Sequence, residues 1–317
     1  MELIKQQRRL TNQQRHFLRN KKGIFFTVLV IIILSLFLMS YTFYSVAKER
    51  KVIQKRIETM NNFLLSIERD LPRQLFISGF RIIFLFEQRI LEKQGYIDDI
   101  DASFQEAFFN GTIEGQTGSN ITILMNGATF PDIVEAINEK SKEINVKINL
   151  SNPIVEITQD DPWNVKFILT VNLIMQDEGG LASWNKTEII VAYVSIEGFE
   201  DPTYFLAGSG ESNVINRTPY ETFNIPSELQ DHAENTYYTN NTDAPSFLDR
   251  LEGNINVANP NGIESLAVPK LQSFSGRSIV DHEYFSQPPT AGTPCSSPPL
   301  PSWFLIDTAH RALYQCT

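Results

Sequence analysis

Asp281, His282 and Glu283 place an imidazole between two carboxylates, side-chain types that ligate divalent cations and exchange protons. Neighbours on an extended chain point to opposite faces, so three consecutive residues cannot by themselves close around one ion. His16 falls in the expected cytoplasmic tail, and His232 and His310 stand at no metal-ligand spacing from a partner. No metal site is therefore expected. Two acidic runs, Asp98-Asp99-Ile100-Asp101 and Asp160-Asp161, offer oxygen ligands for Ca²⁺ but lack the pattern of an EF-hand loop, and read as solvated turns. Gly208-Ser209-Gly210 is too short for a nucleophile elbow and reads as a plain turn. The chain holds no phosphate-binding loop, no dinucleotide fingerprint and no zinc-protease motif, so no catalytic residue is assigned and no cofactor is expected. Trp163, Trp184 and Trp303 suggest a sugar-stacking platform, but Trp163 falls in phase with an apolar strand face, where core is the simpler role.

The cysteines and sequons speak of compartment rather than catalysis. Cys295 and Cys316 are the only two cysteines, and one disulfide in an oxidising compartment is expected; two free core cysteines are the alternative. Six N-x-[ST] sequons begin at Asn110, Asn120, Asn149, Asn185, Asn216 and Asn240, and each is a candidate glycosylation site.

All of these lie downstream of residues 23–47, a run of 25 residues without a formal charge. A hydrocarbon core of about 30 Å needs about 20 helical residues, so this run can span a bilayer. It is longer than the apolar core of a cleaved signal, and an uncleaved single-pass anchor is expected. Residues 1–22 carry seven basic side chains against Glu2 alone. Lys48, Arg50, Lys51, Lys55 and Arg56 make the far flank nearly as basic, so the charge bias is modest. The sequons and cysteines tip the expectation to a cytoplasmic N-terminus and an extracellular C-terminal domain in the cell membrane.

Charge is partitioned in the same way. The net charge of −10 combines +10 over residues 1–94 with −20 over residues 95–317. The basic part suits anionic headgroups, and the acidic part disfavours nucleic acid.

Apolar residues Ile53, Ile57, Met60, Leu64, Ile67 and Leu71 recur at intervals of four and three, a helix-packing seam. Residues 28–71 read as one rod that Pro72 ends or kinks, and 73–93 as a second helical stretch. Beyond Gly95 the period changes to two. Trp163, Val165, Phe167, Leu169, Val171, Leu173 and Met175 occupy successive odd positions, a long half-buried strand, followed by a turn at 177–181. Residues 187–196 are apolar on both faces and read as a central strand. A third strand is expected at 144–150, with a helix over 131–143 starting at Thr129-Phe130-Pro131-Asp132. Short helices are expected at 246–251 and 306–314, and the proline-rich segment 284–303 as a stiff loop. The fold class is therefore α+β, an antiparallel sheet with helices on one face. Its expected organisation is a cytoplasmic tail at 1–22, a transmembrane helix at 23–47, a helical stalk at 48–94, an α+β extracellular domain at 95–207 and a loop-rich extracellular region at 208–317.

The basic pair and glycine Lys21-Lys22-Gly23, followed by an apolar helix, an amphipathic one and a β-rich domain, resemble archaeal type IV pilins and pilin-like surface proteins. The fifth residue after Gly23 is Val28, where pilins carry Glu. Segments 180–184, 194–204 and 260–264 are similar to those of membrane-anchored archaeal cell-envelope proteins. The resemblance implies a non-enzymatic surface protein, pilin-like or adhesive, with the lipid membrane as one partner. Self-association, or another envelope protein, would engage residues 48–71. A membrane-tethered extracytoplasmic enzyme or ligand-binding domain using Asp281, His282 or the acidic runs is the competing reading. A sensor is set aside, because 22 cytoplasmic residues cannot hold a signalling domain.

Overall fold

The computed structural model describes residues 2–115, 123–207, 212–223, 225–267, 276–295 and 300–316, with side chains from Gly23 onward. The chain forms two compact units, Met1–Phe63 and Leu64–Thr317. The first is helical over its described residues, from Glu2 onward. The second contains the remainder of the same helix, the sheet and the C-terminal elements, and it is α+β.

Helix α1 runs over Glu2–Lys93. Within it, residues 23–47 leave Phe25, Phe26, Phe37 and Tyr41 exposed by about two-thirds or more, an apolar surface that none of the described residues covers. The helix is long and apolar enough to cross a membrane, with a mean hydropathy of 2.7 over its most apolar window. Of the seam, Met60, Leu64, Ile67 and Leu71 are buried, whereas Ile53 and Ile57 are exposed. Pro72 neither ends the helix nor opens a second one; it sits inside α1, contrary to the two-helix expectation. From residue 64 onward the helix has tertiary partners on which to lean, and burial of Leu75, Ile82, Ile83, Phe86 and Ile90 outweighs the one lost backbone bond.

Helix α2 (Ile100–Asn110) is capped by Asp99, whose side chain accepts from Ala102 N, and closes on Gly111 in the left-handed region. Helix α3 (Phe130–Glu143) starts with a capping box: Thr129 and Asp132 satisfy each other's backbone N–H groups, with Pro131 in the first turn. Then come β1 (Val146–Asp161), β2 (Asn164–Asp177) and β3 (Ser183–Ser195), an antiparallel sheet in the order β1-β2-β3. The odd-numbered face of β2 from Val165 to Met175 is almost fully buried. Helices cover it: Phe104 of α2 stacks on Phe167 at 5.0 Å, and Gly79 of α1 lies against the same ring.

Two strand expectations need correction. The central strand is β2, and β3 is an edge. Only Ile190, Ala192 and Val194 face the core, so Ile189 and Tyr193 are left exposed on the outer face. β1 begins at Val146 rather than Ile144, which caps α3, and continues far beyond Leu150. Asn152 adopts a φ of +52° before Pro153, and the register shifts between Ser151 and Ile154. This bulge moves the buried phase from Val146 and Leu150 to Val155 and Ile157.

The C-terminal part is a set of short elements: α4 (Pro202–Ala207), α5 (Pro226–Glu234), β4 (Tyr238–Asn240), α6 (Phe247–Glu252), β5 (Ile263–Ser265), α7 (Asp281–Phe285), β6 (Thr293–Pro294) and β7 (Leu305–Ile306). β4 pairs with β5 and β6 with β7, both antiparallel. α6 is capped by Ser246 in a capping box with Asp249. The helix expected over 306–314 is instead β7 followed by turns. Asp307 Oδ1 accepts from the backbone N–H groups of Ala309 and His310, and this local turn displaces helix. This region still has a core of its own, in which Leu229, Leu266, Ile279, Phe304, Ile306 and Tyr314 pack beside the cysteines.

Candidate functional site

Short elements of the C-terminal part carry charged side chains inward. Arg250 on α6 is fully buried, as are Asp201 before α4 and Asp281 at the start of α7. Arg250 Nη1 donates to Asp201 Oδ2 at 2.6 Å and to Asp281 Oδ2 at 2.9 Å. Its Nη2 reaches Asp281 Oδ1 at 3.3 Å and also donates to the Ile263 carbonyl. Tyr238 on β4 donates its hydroxyl hydrogen to Asp201 at 2.9 Å and accepts from Asn213 at 2.8 Å. A buried charge is tolerable only when paired and hydrogen-bonded, and here two carboxylates flank one guanidinium. Burial opposes charge on Asp281, yet Arg250 and His282 hold its carboxyl below the usual range.

The second group lies next along the chain. Glu264 on β5, His282 on α7 and His310 in the turn after β7 are 0%, 4% and 3% exposed, too enclosed for a substrate to reach. One ligand atom from each lies within 4.8 Å of the others. Glu264 Oε2 is 3.3 Å from His310 Nε2 and 3.8 Å from His282 Nδ1. Tyr314 donates to Glu264 Oε1 at 2.8 Å and Asn241 to its Oε2 at 2.7 Å. His310 Nδ1 lies 2.8 and 2.9 Å from the two oxygens of Asp307, which also accepts from Ser278 at 2.8 Å. An ionised carboxylate only accepts, so Nδ1 carries the hydrogen and Nε2 faces Glu264. Burial opposes the imidazolium, but the carboxylates of Asp307 and Glu264 outweigh it and raise His310 to about 10. Asp307 falls to about 2: burial opposes its charge, and the bonds from His310 and Ser278 prevail.

Other candidates are structural. His232 lies in an aromatic box, 4.7 Å from Phe223 and 5.9 Å from Tyr314 between ring centroids, and burial lowers it to about 3. Asp99 caps α2, Asp161 accepts from Trp163 N and Asn164, and Asp160 pairs with Lys166. Trp163 is buried, with the Arg217 guanidinium 5.1 Å above its ring. Cys295 and Cys316 form a disulfide, Cα–Cα 5.2 Å, closing a loop that contains Asp307 and His310. Asn110, Asn149, Asn185, Asn216 and Asn240 are all exposed. Asn120 and Gly208-Ser209-Gly210 lie outside the described residues.

Sequence reasoning gave His310 no ligand partner; the fold supplies Glu264 and His282, which are remote along the chain. Arg250, Asp201 and Glu264 were also missed. The available signal was Glu264 itself, a charged residue inside the apolar run Ile263-Glu264-Ser265-Leu266-Ala267. Such a residue must be either at a surface or paired.

On α1, Glu87 accepts from Glu200 N at 2.7 Å beside a 550 Å³ cleft lined by Phe80, Phe84, Leu91 and Phe199. Burial pushes the Glu87 carboxyl up to about 8 against the lowering effect of that bond, with Glu200 and Asp201 adding to the rise. No protein-family model, no curated protein and no solved structure matches the chain.

Proposed function

We propose that this chain is a single-pass membrane protein that displays its α+β unit outside the cell, N-terminus inside, as a structural or adhesive surface element of pilin-like plan. The observation that carries the reading is the contrast within α1. Residues 23–47 expose bulky apolar side chains along a bilayer's width, whereas the helix from Leu64 onward is amphipathic and buries one face. The disulfide and the exposed sequon asparagines support an extracytoplasmic address for the folded unit. Anchoring is the work of 23–47. Residues Ile53 and Ile57, the exposed part of the seam, are the lateral contact toward a second copy or another envelope protein.

No catalysis is assigned. The buried titratable groups lack the exposure that a reacting substrate requires. The Glu264–His282–His310 cluster favours one second reading, a tethered domain that binds an ion.

Membrane fractionation with glycopeptide mass spectrometry tests the first reading. The protein should resist carbonate extraction and carry glycan on at least one of Asn149, Asn185, Asn216 and Asn240. Extraction by carbonate, or unmodified asparagines throughout in protein from its native cells, counts against it.

A further inference from the structure

We propose that Glu264, His282 and His310 are the protein ligands of a zinc-class divalent cation, which ties β5, α7 and the disulfide-bounded C-terminal turn into one unit. Zn²⁺ bonds to imidazole nitrogen and carboxylate oxygen are about 2.0–2.1 Å long and tetrahedrally disposed, which places adjacent ligand atoms about 3.3 Å apart. Glu264 Oε2 stands 3.3 Å from His310 Nε2 and 3.8 Å from His282 Nδ1, and one ligand atom from each residue lies within 4.8 Å of the others, so the cluster contracts around an ion to bring all three to bonding distance.

The polar atoms around the cluster are arranged for a cation. His310 Nε2 is buried and makes no hydrogen bond, although Glu264 Oε2 is near enough to accept one. Asp307 fixes the His310 tautomer from behind with both oxygens, the carboxylate–histidine–metal relationship of metal sites. His282 has no such support: its Nε2 is buried without a hydrogen bond, with Glu283 Oε1 at 3.8 Å, and its Nδ1, which faces Glu264, also lies 3.4 Å from Asp281 Oδ1 and would exchange that contact for the ion. Tyr314 and Asn241 orient the Glu264 carboxylate.

Two imidazoles and one carboxylate suit Zn²⁺ better than Ca²⁺ or Mg²⁺, which prefer all-oxygen sets. The three residues leave one position for water. Their burial makes the ion a structural tie rather than a reagent, and binding couples to closure of the surrounding elements.

The test uses full-length protein in detergent, stripped with chelator and then titrated with Zn²⁺ or Co²⁺. The wild type should take up one Zn²⁺ per chain and gain about 5 °C in Tm at a hundredfold excess over Kd. Its Co²⁺ form should show the intense visible bands of a tetrahedral site. His310→Gln and His282→Gln should lose the ion, and Asp307→Asn should weaken binding by about tenfold or more. His232→Gln, a buried histidine outside the cluster, should bind as the wild type does. Wild-type protein that binds no Zn²⁺, or His310→Gln that binds it unchanged, overturns the proposal. Should the ligand variants fail to fold, the wild-type Co²⁺ spectrum decides: tetrahedral bands support the site, and weak octahedral bands or none refute it.

Discussion

The ring of Phe167 occupies the space that a Cβ on Gly79 would need, since that atom would stand 2.5 Å from Cε2 of the ring. Helix α1 approaches β2 at this point because residue 79 has no side chain. Alanine is the better helix former by about 1 kcal/mol, but overpacking a well-filled core costs about 1–3 kcal/mol. Phe167 is fully buried and stacked on Phe104, so it has nowhere to yield. Gly79→Ala should therefore destabilise the protein by about 1–2 kcal/mol, read from a lowered urea midpoint at unchanged slope.

Arg250 should be the most costly charged residue to replace. Removing it leaves Asp201 and Asp281 buried with no counter-charge, a loss of about 3–5 kcal/mol. Arg217 is exposed over Trp163, where a cation–π contact contributes about 0.5–1 kcal/mol. Equilibrium urea unfolding of Arg250→Met and Arg217→Met should separate the two by several-fold.

Glu87 gives stability a definite slope with pH. Its carboxyl titrates near 8 when folded and near 4.5 when free, so between these values the folded state holds the extra proton. Stability from this residue is present below pH 4.5 and is lost as pH rises toward 8, by up to about 1.4 kcal/mol per pH unit. Tm measured from pH 5 to 8.5 should fall more steeply for the wild type than for Glu87→Gln. Equal slopes would mean that Glu87 is ionised in the folded protein throughout.

Much of the fold is legible in local patterns. The odd-position run from Trp163 to Met175 marks the buried face of β2 because one face of the sheet is covered. Thr129-Phe130-Pro131-Asp132 marks the start of α3 because capping is a local interaction. Pattern reading breaks down where tertiary contacts override local rules. Pro72 stays inside α1, the bulge at Asn152–Pro153 reverses the phase of β1, and β3 keeps apolar residues on its open face.

The buried site is harder to read for a related reason. Glu264, His282 and His310 belong to three separate short elements, and no spacing links them. Arg250, Asp201 and Asp281 are likewise joined only by the packing of α6, α7 and the turn before α4. Asp281-His282 could be singled out as chemistry-bearing types, but their partners are defined only in three dimensions.

The central claim, a membrane anchor at 23–47 with the folded unit outside, is tested most directly by protease treatment of intact cells. The claim predicts cleavage between residues 48 and 63, release of a fragment containing the Cys295–Cys316 bond, and a protected N-terminal fragment left in the membrane. Full protection of the 64–317 unit in intact cells, with cleavage only after lysis, would contradict it.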